Sequence, residues 1–341
     1  MYSDNRLLNA VLLLLSASVK LGLTYVLTLF IGNIILAIFI AQAATDLAVG
    51  IIAISKSHLK PSIKIKAYSK NMLKQLIAYG YPLIGMGLIM TLLNMSDRYI
   101  IKFFYDNNEV GLYTSNYSLA SAAFTMLMVG LSRGSYPKIL EAWHKKDYST
   151  AERTLSAGGK YFMMFGLPAA TGLLLLSKPI ASLCLGADYF EGYPVIGIVA
   201  FAMLFCGLSE YKNKGWELKA QTLPILLNSL IAAFVNILLN ILFIPIFGYI
   251  FAAYSTLIAF FIYFLVSSIR ENKTIRFRIP KKNSWNILIS CAIMSIIVLM
   301  FDYFFLIDLK NLMIVIVLAM LSYFMSLYFL GEIKNEVKNL L

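Results

Sequence analysis

Long apolar segments dominate the chain, and short polar or turn-forming segments separate them. In segments such as Leu223 to Ile244 and Ile287 to Leu306 the apolar residues run without the apolar/polar alternation of a membrane-barrel strand. In a bilayer core, only helices and closed barrels pair all the hydrogen-bonding groups of their backbone. A helical crossing needs about 20 residues. The pattern therefore predicts about ten transmembrane helices, near residues 7–28, 33–54, 75–99, 112–135, 157–180, 193–211, 222–244, 249–269, 286–306 and 311–331.

The composition supports an all-α integral membrane protein. Hydrophobic residues make up 60% of the chain and charged residues only 13%, whereas soluble domains are roughly half apolar and one quarter charged. The three cysteines, Cys184, Cys206 and Cys291, lie in or beside apolar segments without CxxC spacing. They predict neither a disulfide framework nor a metal site, and no cofactor is expected.

Lysine and arginine residues are concentrated in alternate loops, as expected for cytoplasmic loops of membrane proteins. With a cytoplasmic N-terminus, 24 of the 29 basic residues fall on the inner face, while acids such as Asp106 and Asp188 fall on the outer face. The bias predicts that orientation. It also accounts for the net charge of +12 without nucleic acid as a partner, because the basic residues are scattered over separate loops.

Two sequence segments carry a family resemblance. The first, Asn94 to Leu119, reads NMSDRYIIKFFYDNNEVGLYTSNYSL, in which an Asp-Arg pair ends one helix and VGxY opens the next. The second, Val235 to Gly248, reads VNILLNILFIPIFG and matches a helix exit of the form NxxLNxxxIPxxG. Both segments resemble polysaccharide and O-antigen flippases of the multidrug/oligosaccharidyl-lipid/polysaccharide exporter superfamily.

The resemblance implies a MATE-like fold, with two six-helix lobes around a central cavity. Residues 1–55 would be the end of the N-terminal lobe, 56–74 a basic cytoplasmic loop, 75–270 the six-helix C-terminal lobe, and 271–341 an additional helix pair with a short tail. We expect a chain that lacks four N-terminal helices and does not flip a substrate alone. The alternative is that its first two spans are misaligned with the family.

Two ionisable residues, Lys20 and Asp46, lie deep within the first two predicted spans. A charged side chain at the bilayer centre costs about 2.5–3.5 kcal/mol on insertion scales, so such residues are candidates for function. One interpretation is that the two residues neutralise each other or reach toward water. The other is a proton- or ion-linked element that faces the cavity.

Asp97 and Arg98 end the predicted third span. They are either a solvated pair that fixes the helix terminus or, as the resemblance implies, transport residues. Asn236 and Asn240 share one side of their helix because they are four residues apart. Their amides either hydrogen-bond between helices or contact sugar.

Arg133 and Glu210 lie at inner helix ends. A guanidinium there could hold a diphosphate through two parallel hydrogen bonds. The alternative is an ordinary basic residue of the cytoplasmic face.

The resemblance implies a flippase that moves a polyprenyl-diphosphate-linked oligosaccharide across the bacterial inner membrane during polysaccharide biosynthesis, for example of lipopolysaccharide O-antigen. Its implied partners are that substrate, membrane lipids, a polysaccharide polymerase and glycosyltransferases. The sequence lacks HExxH, GxSxG and P-loop patterns, which favours a transporter over an enzyme. The alternatives are a drug or cation antiporter of the same superfamily and an integral-membrane glycan polymerase or ligase.

Overall fold

The computed structural model describes residues 6–56, 69–305, 307 and 310–333. Over those residues the regular structure is helical: α1 (Arg6–Ile31), α2 (Ile34–Lys56), α3 (Lys70–Phe104), α4 (Asn107–His144), α5 (Tyr148–Leu175), α6 (Ser177–Cys184), a 3₁₀ turn (Ala187–Gly192), α7 (Pro194–Leu218), α8 (Leu223–Phe247), α9 (Phe251–Ile269), α10 (Lys281–Phe305) and α11 (Leu312–Phe329).

The predicted all-α membrane architecture is confirmed. Among the described residues, six helices are long and apolar enough to cross a membrane, namely α2 and α7 to α11. The pair α5 and α6, bent by 81° at Leu176, would make a seventh span. The other predicted crossings also coincide with helices, but α3 and α4 extend well beyond the predicted limits, to Phe104 and His144. The orientation of the N-terminus remains a prediction.

Local sequence signals set several helix boundaries. A capping box of Asp106 and Glu109 starts α4, and the Asp147 carboxylate starts α5 by accepting a hydrogen bond of 3.1 Å from the Thr150 amide. Helix α8 ends at Phe247, and the following Gly248 has a φ of +83°, a conformation that glycine adopts without strain.

The described chain divides into two compact units, residues 1–73 with α1 and α2, and residues 74–341 with the remaining helices. In the larger unit α7 is the central helix and packs on α4, α5 and α9. Its glycines permit close approach, because a Cβ at Gly197 or Gly207 would overlap Leu174 or Phe162 of α5. Large apolar side chains cover the outside, as lipid-facing helices require.

Helices α10 and α11 form a pair that is attached to α5. The Tyr323 hydroxyl donates a 2.6 Å hydrogen bond to the Met164 carbonyl. At one end of the pair Lys160 and Glu332 form a buried ion pair at 3.4 Å, and Asn286 also donates to the Glu332 carboxylate at 3.1 Å. Specific polar contacts therefore fix the pair to the larger unit.

Candidate transport site

A fully buried carboxylate, that of Asp97, lies at the junction of four helices. It accepts hydrogen bonds from the Tyr113 hydroxyl of α4 at 2.5 Å, from Asn240 Nδ2 of α8 at 2.6 Å and from the Thr256 hydroxyl of α9 at 2.8 Å. Asp97 itself belongs to α3. One side chain thus accepts hydrogen bonds from three other helices within an apolar bundle.

A second layer of polar side chains surrounds this carboxylate. Asn236 accepts hydrogen bonds from Ser96 at 3.1 Å and from Asn240 at 3.3 Å, and it donates to Thr256 at 3.3 Å. Ser255 donates to the Asn240 carbonyl oxygen. The two asparagines predicted to share one side of α8 therefore meet Asp97 in a connected network, which we call the Asp97 network.

The Asp97 network can change charge at a single group. A carboxylate is costly inside a membrane bundle, and the neutral donors of α4, α8 and α9 offset part of that cost. Binding of a proton or a monovalent cation would remove the negative charge and alter the hydrogen bonds that join the four helices. Among the described residues, no cluster of three or more acidic, histidine or cysteine side chains could hold a metal ion.

Asp97 and Arg98 do not form the solvated pair that was one of the two expectations. Helix α3 continues to Phe104, almost two turns past Asp97, and Asp97 is buried. The half-buried Arg98 lies on another side of the helix, because successive residues are about 100° apart. Its guanidinium lies 4.9 Å from the centre of the Tyr117 ring and donates to the Asn94 carbonyl.

A pocket of about 210 Å³ lies between α4 and α7, and its lining includes Ser132, Glu210, Tyr211 and Lys214. Within the described chain the half-buried Glu210 carboxylate has no hydrogen bond or ion pair, and the buried Tyr211 hydroxyl has no partner. Lys214, one turn beyond Glu210, pairs with Glu217 at 2.6 Å instead. The pocket therefore offers an acid and a hydroxyl that water or a ligand must satisfy.

Arg133 follows Ser132 of that lining, and its side chain is exposed. No hydrogen bond or ion pair within the described residues occupies its guanidinium. The structure thus places Glu210 at the pocket and Arg133 on the adjoining surface of α4.

In the smaller unit an amide lies between Lys20 and Asp46. The half-buried Lys20 ammonium donates to the Gln42 carbonyl oxygen, and Gln42 Nε2 donates to the Asp46 carboxylate at 2.6 Å. Gln42 precedes Asp46 by one helical turn, so it fills the offset between the two charges. The four-residue spacing of Gln42 and Asp46 is visible in the sequence, but Gln42 carries no charge that would mark it there.

Residues 9–194, more than half of the chain, match a family described as "Polysaccharide biosynthesis protein". The chain belongs to this family. Two relatives in sequence are archaeal proteins, and each is 25% identical to this chain. One is an uncharacterized membrane protein of Methanocaldococcus jannaschii, matched over 74% of this chain and 50% of that protein. The other is the probable flippase AglR of Haloferax volcanii, matched over 72% and 50%. The chain thus spans about half the length of these relatives.

Two solved structures of membrane transporters are similar to this chain. The lipid II flippase MurJ in its inward closed conformation superposes with a TM-score of 0.70 at 17% identity, covering 93% of this chain and 67% of that one. An outward-facing MATE family multidrug transporter superposes with a TM-score of 0.49 at 15% identity, covering 75% and 64%. The first comparison confirms the expected flippase-type fold of this family member.

Several partners of the candidate residues were not foreseen. Tyr113 lies within the VGxY motif, so its position was available in the sequence, but its role as a donor to Asp97 was not. Ser255 and Thr256 carry no spacing signal, because they reach the Asp97 network only through the packing of α9 on α8. The Tyr211 hydroxyl likewise stands out only through its lack of a partner.

Proposed function

We propose that this family member is a flippase component that moves a polyprenyl-diphosphate-linked oligosaccharide from the inner to the outer leaflet of the bacterial cytoplasmic membrane. The family match and the MurJ-like fold support a role in polysaccharide biosynthesis at a membrane. The proposed partners are the glycosyltransferases that make such a lipid-linked sugar and the polymerase that uses it. The lipid tail can stay in the bilayer, so the protein has to shield only the polar head.

The observation that carries the proposal is the pocket between α4 and α7. Polar groups inside a membrane bundle normally bond to one another, yet the Glu210 carboxylate and the buried Tyr211 hydroxyl do not. The volume of about 210 Å³ is far larger than the roughly 10–15 Å³ that one water needs. Carboxylate and hydroxyl groups bond well to the hydroxyls of a sugar.

The diphosphate of the substrate would lie beside the sugar, at the exposed Arg133. Arginine presents a planar fork of donors that matches phosphate oxygens. Arg133 and the pocket lie on the same helix, α4, so head-group sugar and diphosphate can be contacted together.

The test measures binding of a fluorescent polyprenyl-diphosphate oligosaccharide to the purified chain, with polyprenyl diphosphate without sugar as the reference. We expect Glu210→Gln with Tyr211→Phe to reduce the difference in affinity between the ligand with sugar and the ligand without it. Arg133→Gln should weaken the binding of both ligands. Lys178→Gln, an exposed cation remote from α4 in sequence, is the control. Equal binding of both ligands to the unmodified chain would refute a sugar-binding pocket.

A drug or cation antiporter of the same superfamily is the second candidate, and the buried acid favours it. Antiport requires a membrane acid that binds ion and substrate in turn, and the buried carboxylate of Asp97 is a candidate for that role. In that case Asp97→Asn would abolish resistance to cationic dyes in cells that express the chain. A flippase would instead restore surface polysaccharide in a flippase-deficient strain when the chain is co-expressed with the N-terminal helices of the expected two-lobe fold.

A further inference from the structure

The segment between α9 and α10 is non-helical but firmly held. We call this segment, residues 270–280, together with Lys281 and Lys282, the first two residues of α10, the basic strap. Ile275 and Phe277 of the segment are buried. Each fits a glycine: a Cβ at Gly159 of α5 would overlap the Phe277 ring, and a Cβ at Gly215 of α7 would lie 2.8 Å from the Ile275 carbonyl oxygen. The apolar side of the basic strap is therefore packed into the helical unit.

Polar contacts hold the backbone of the basic strap from two helices. From α7, the Lys212 ammonium donates to the Phe277 carbonyl at 2.8 Å. Within the strap itself, the Glu271 carboxylate accepts from the Phe277 amide at 2.5 Å. On α5, Glu152 and Ser156 accept hydrogen bonds from the backbone amides of Arg276 and Arg278, at 3.3 and 3.2 Å. These contacts use the main chain of the arginines and leave their guanidinium groups available.

The outward side of the basic strap is strongly positive. Side chains alternate along an extended segment, so Arg276 and Arg278 point away from the buried Ile275 and Phe277. Five cations here make no side-chain hydrogen bond or ion pair within the described part of the chain: Lys273, Arg276, Arg278, Lys281 and Lys282. The nearby acids Glu152 and Glu271 are engaged by the strap backbone, and Glu271 also pairs with Lys212 at 3.3 Å.

Two features place these cations at the level of lipid head groups. Ile269, directly before the basic strap, is 83% exposed, and Trp285, one turn into α10, is 64% exposed. Tryptophan is enriched at the boundary between hydrocarbon and head groups, and the exposed Ile269 is the last residue of the apolar helix α9. Lys281 and Lys282 also begin α10, whose first turn contains no acid. Cations are unfavourable at a helix N-terminus, and an external anion would relieve that repulsion.

We propose that the basic strap is a binding site for the phosphate of an anionic membrane phospholipid. Five preordered cations at head-group level complement the negative charge of such a lipid, and the rigid backbone reduces the cost of ordering them. The bound lipid would stabilise the packing of the strap on α5 and α7.

The test titrates the purified full chain in detergent with short-chain phosphatidylglycerol or phosphatidylcholine and counts bound lipids by native mass spectrometry. We expect selective binding of phosphatidylglycerol that weakens as salt is added. Arg276→Gln with Arg278→Gln should weaken it about 25-fold, since each cation near a membrane surface contributes about fivefold. Lys281→Gln with Lys282→Gln should have a similar effect. Both pairs leave the backbone contacts of the strap in place, which an unchanged melting temperature would verify.

The matched control is Lys102→Gln with Lys178→Gln, which removes two exposed charges elsewhere. Its affinity should stay within about twofold of the unmodified chain. An equal loss of affinity in this control would show that binding depends only on the overall charge of the protein, and it would overturn the proposal. Unchanged binding by both strap variants, or equal binding of phosphatidylcholine, would also overturn it. Displacement of the lipid by an equal concentration of inorganic pyrophosphate would show a soluble-phosphate site instead of a lipid site.

Discussion

Removing the Asp97 carboxylate should destabilise the larger unit. In Asp97→Ala the donors of Tyr113, Asn240 and Thr256 lose their common acceptor inside the bundle. Hydrogen bonds between membrane helices are worth about 0.6 kcal/mol on average and up to about 1.7 kcal/mol. The loss of three bonds therefore amounts to about 2–5 kcal/mol, or a melting temperature lower by about 4–10 °C.

The isosteric change Asp97→Asn separates hydrogen bonding from charge. Its carbonyl oxygen can still accept from Asn240, and its amide can donate to the hydroxyls of Tyr113 and Thr256, which can turn to accept. The stability loss should then be about 1 kcal/mol or less. If the charge of Asp97 takes part in transport, this variant folds normally and does not transport.

The assay is thermal unfolding of the detergent-purified chain, followed by size-exclusion chromatography of the protein that remains monodisperse. Asp188→Ala, which removes an exposed acid, is the control and should leave the melting temperature unchanged. A melting temperature for Asp97→Ala equal to that control would refute the argument that this carboxylate joins four helices.

Three further predictions concern topology and packing. Cysteine at Asn108 should react with an impermeant thiol reagent added outside, and cysteine at Thr274 should not; reversed labelling would overturn the orientation inferred from the basic loops. Gln42→Leu should lower expression as much as removal of either charge that Gln42 joins, whereas normal expression would show that its hydrogen bonds are dispensable. Lys160→Met should lower the stability by about 3–5 kcal/mol, because it leaves the buried Glu332 without its cation. Proteolysis between α9 and α10 should then become faster, because α10 and α11 are held less firmly on α5. Lys145→Met, in an exposed ion pair, is its control and should leave cleavage unchanged.

The hydrophobic pattern by itself determined the fold class, because a bilayer admits few solutions for long apolar segments. It also located the helices, and capping residues such as Asp147 set some of their ends. The resemblance in the segments around Asp97 and Asn240 pointed to the family that the match over residues 9–194 then established. Those signals are local in sequence, so they needed no knowledge of packing.

Only the tertiary structure decided which polar residues act together. Asp97 and Thr256 are far apart in sequence, and their contact depends on how α3 and α9 pack. Asp97 was expected at a helix end, but α3 continues past it to Phe104 and the Asp97 side chain is buried. In the same way, the loop after α9 appears in the sequence only as a set of basic residues. Its apolar side chains and backbone contacts hold it against α5 and α7, where the Phe277 ring lies against Gly159 and the Ile275 carbonyl lies against Gly215.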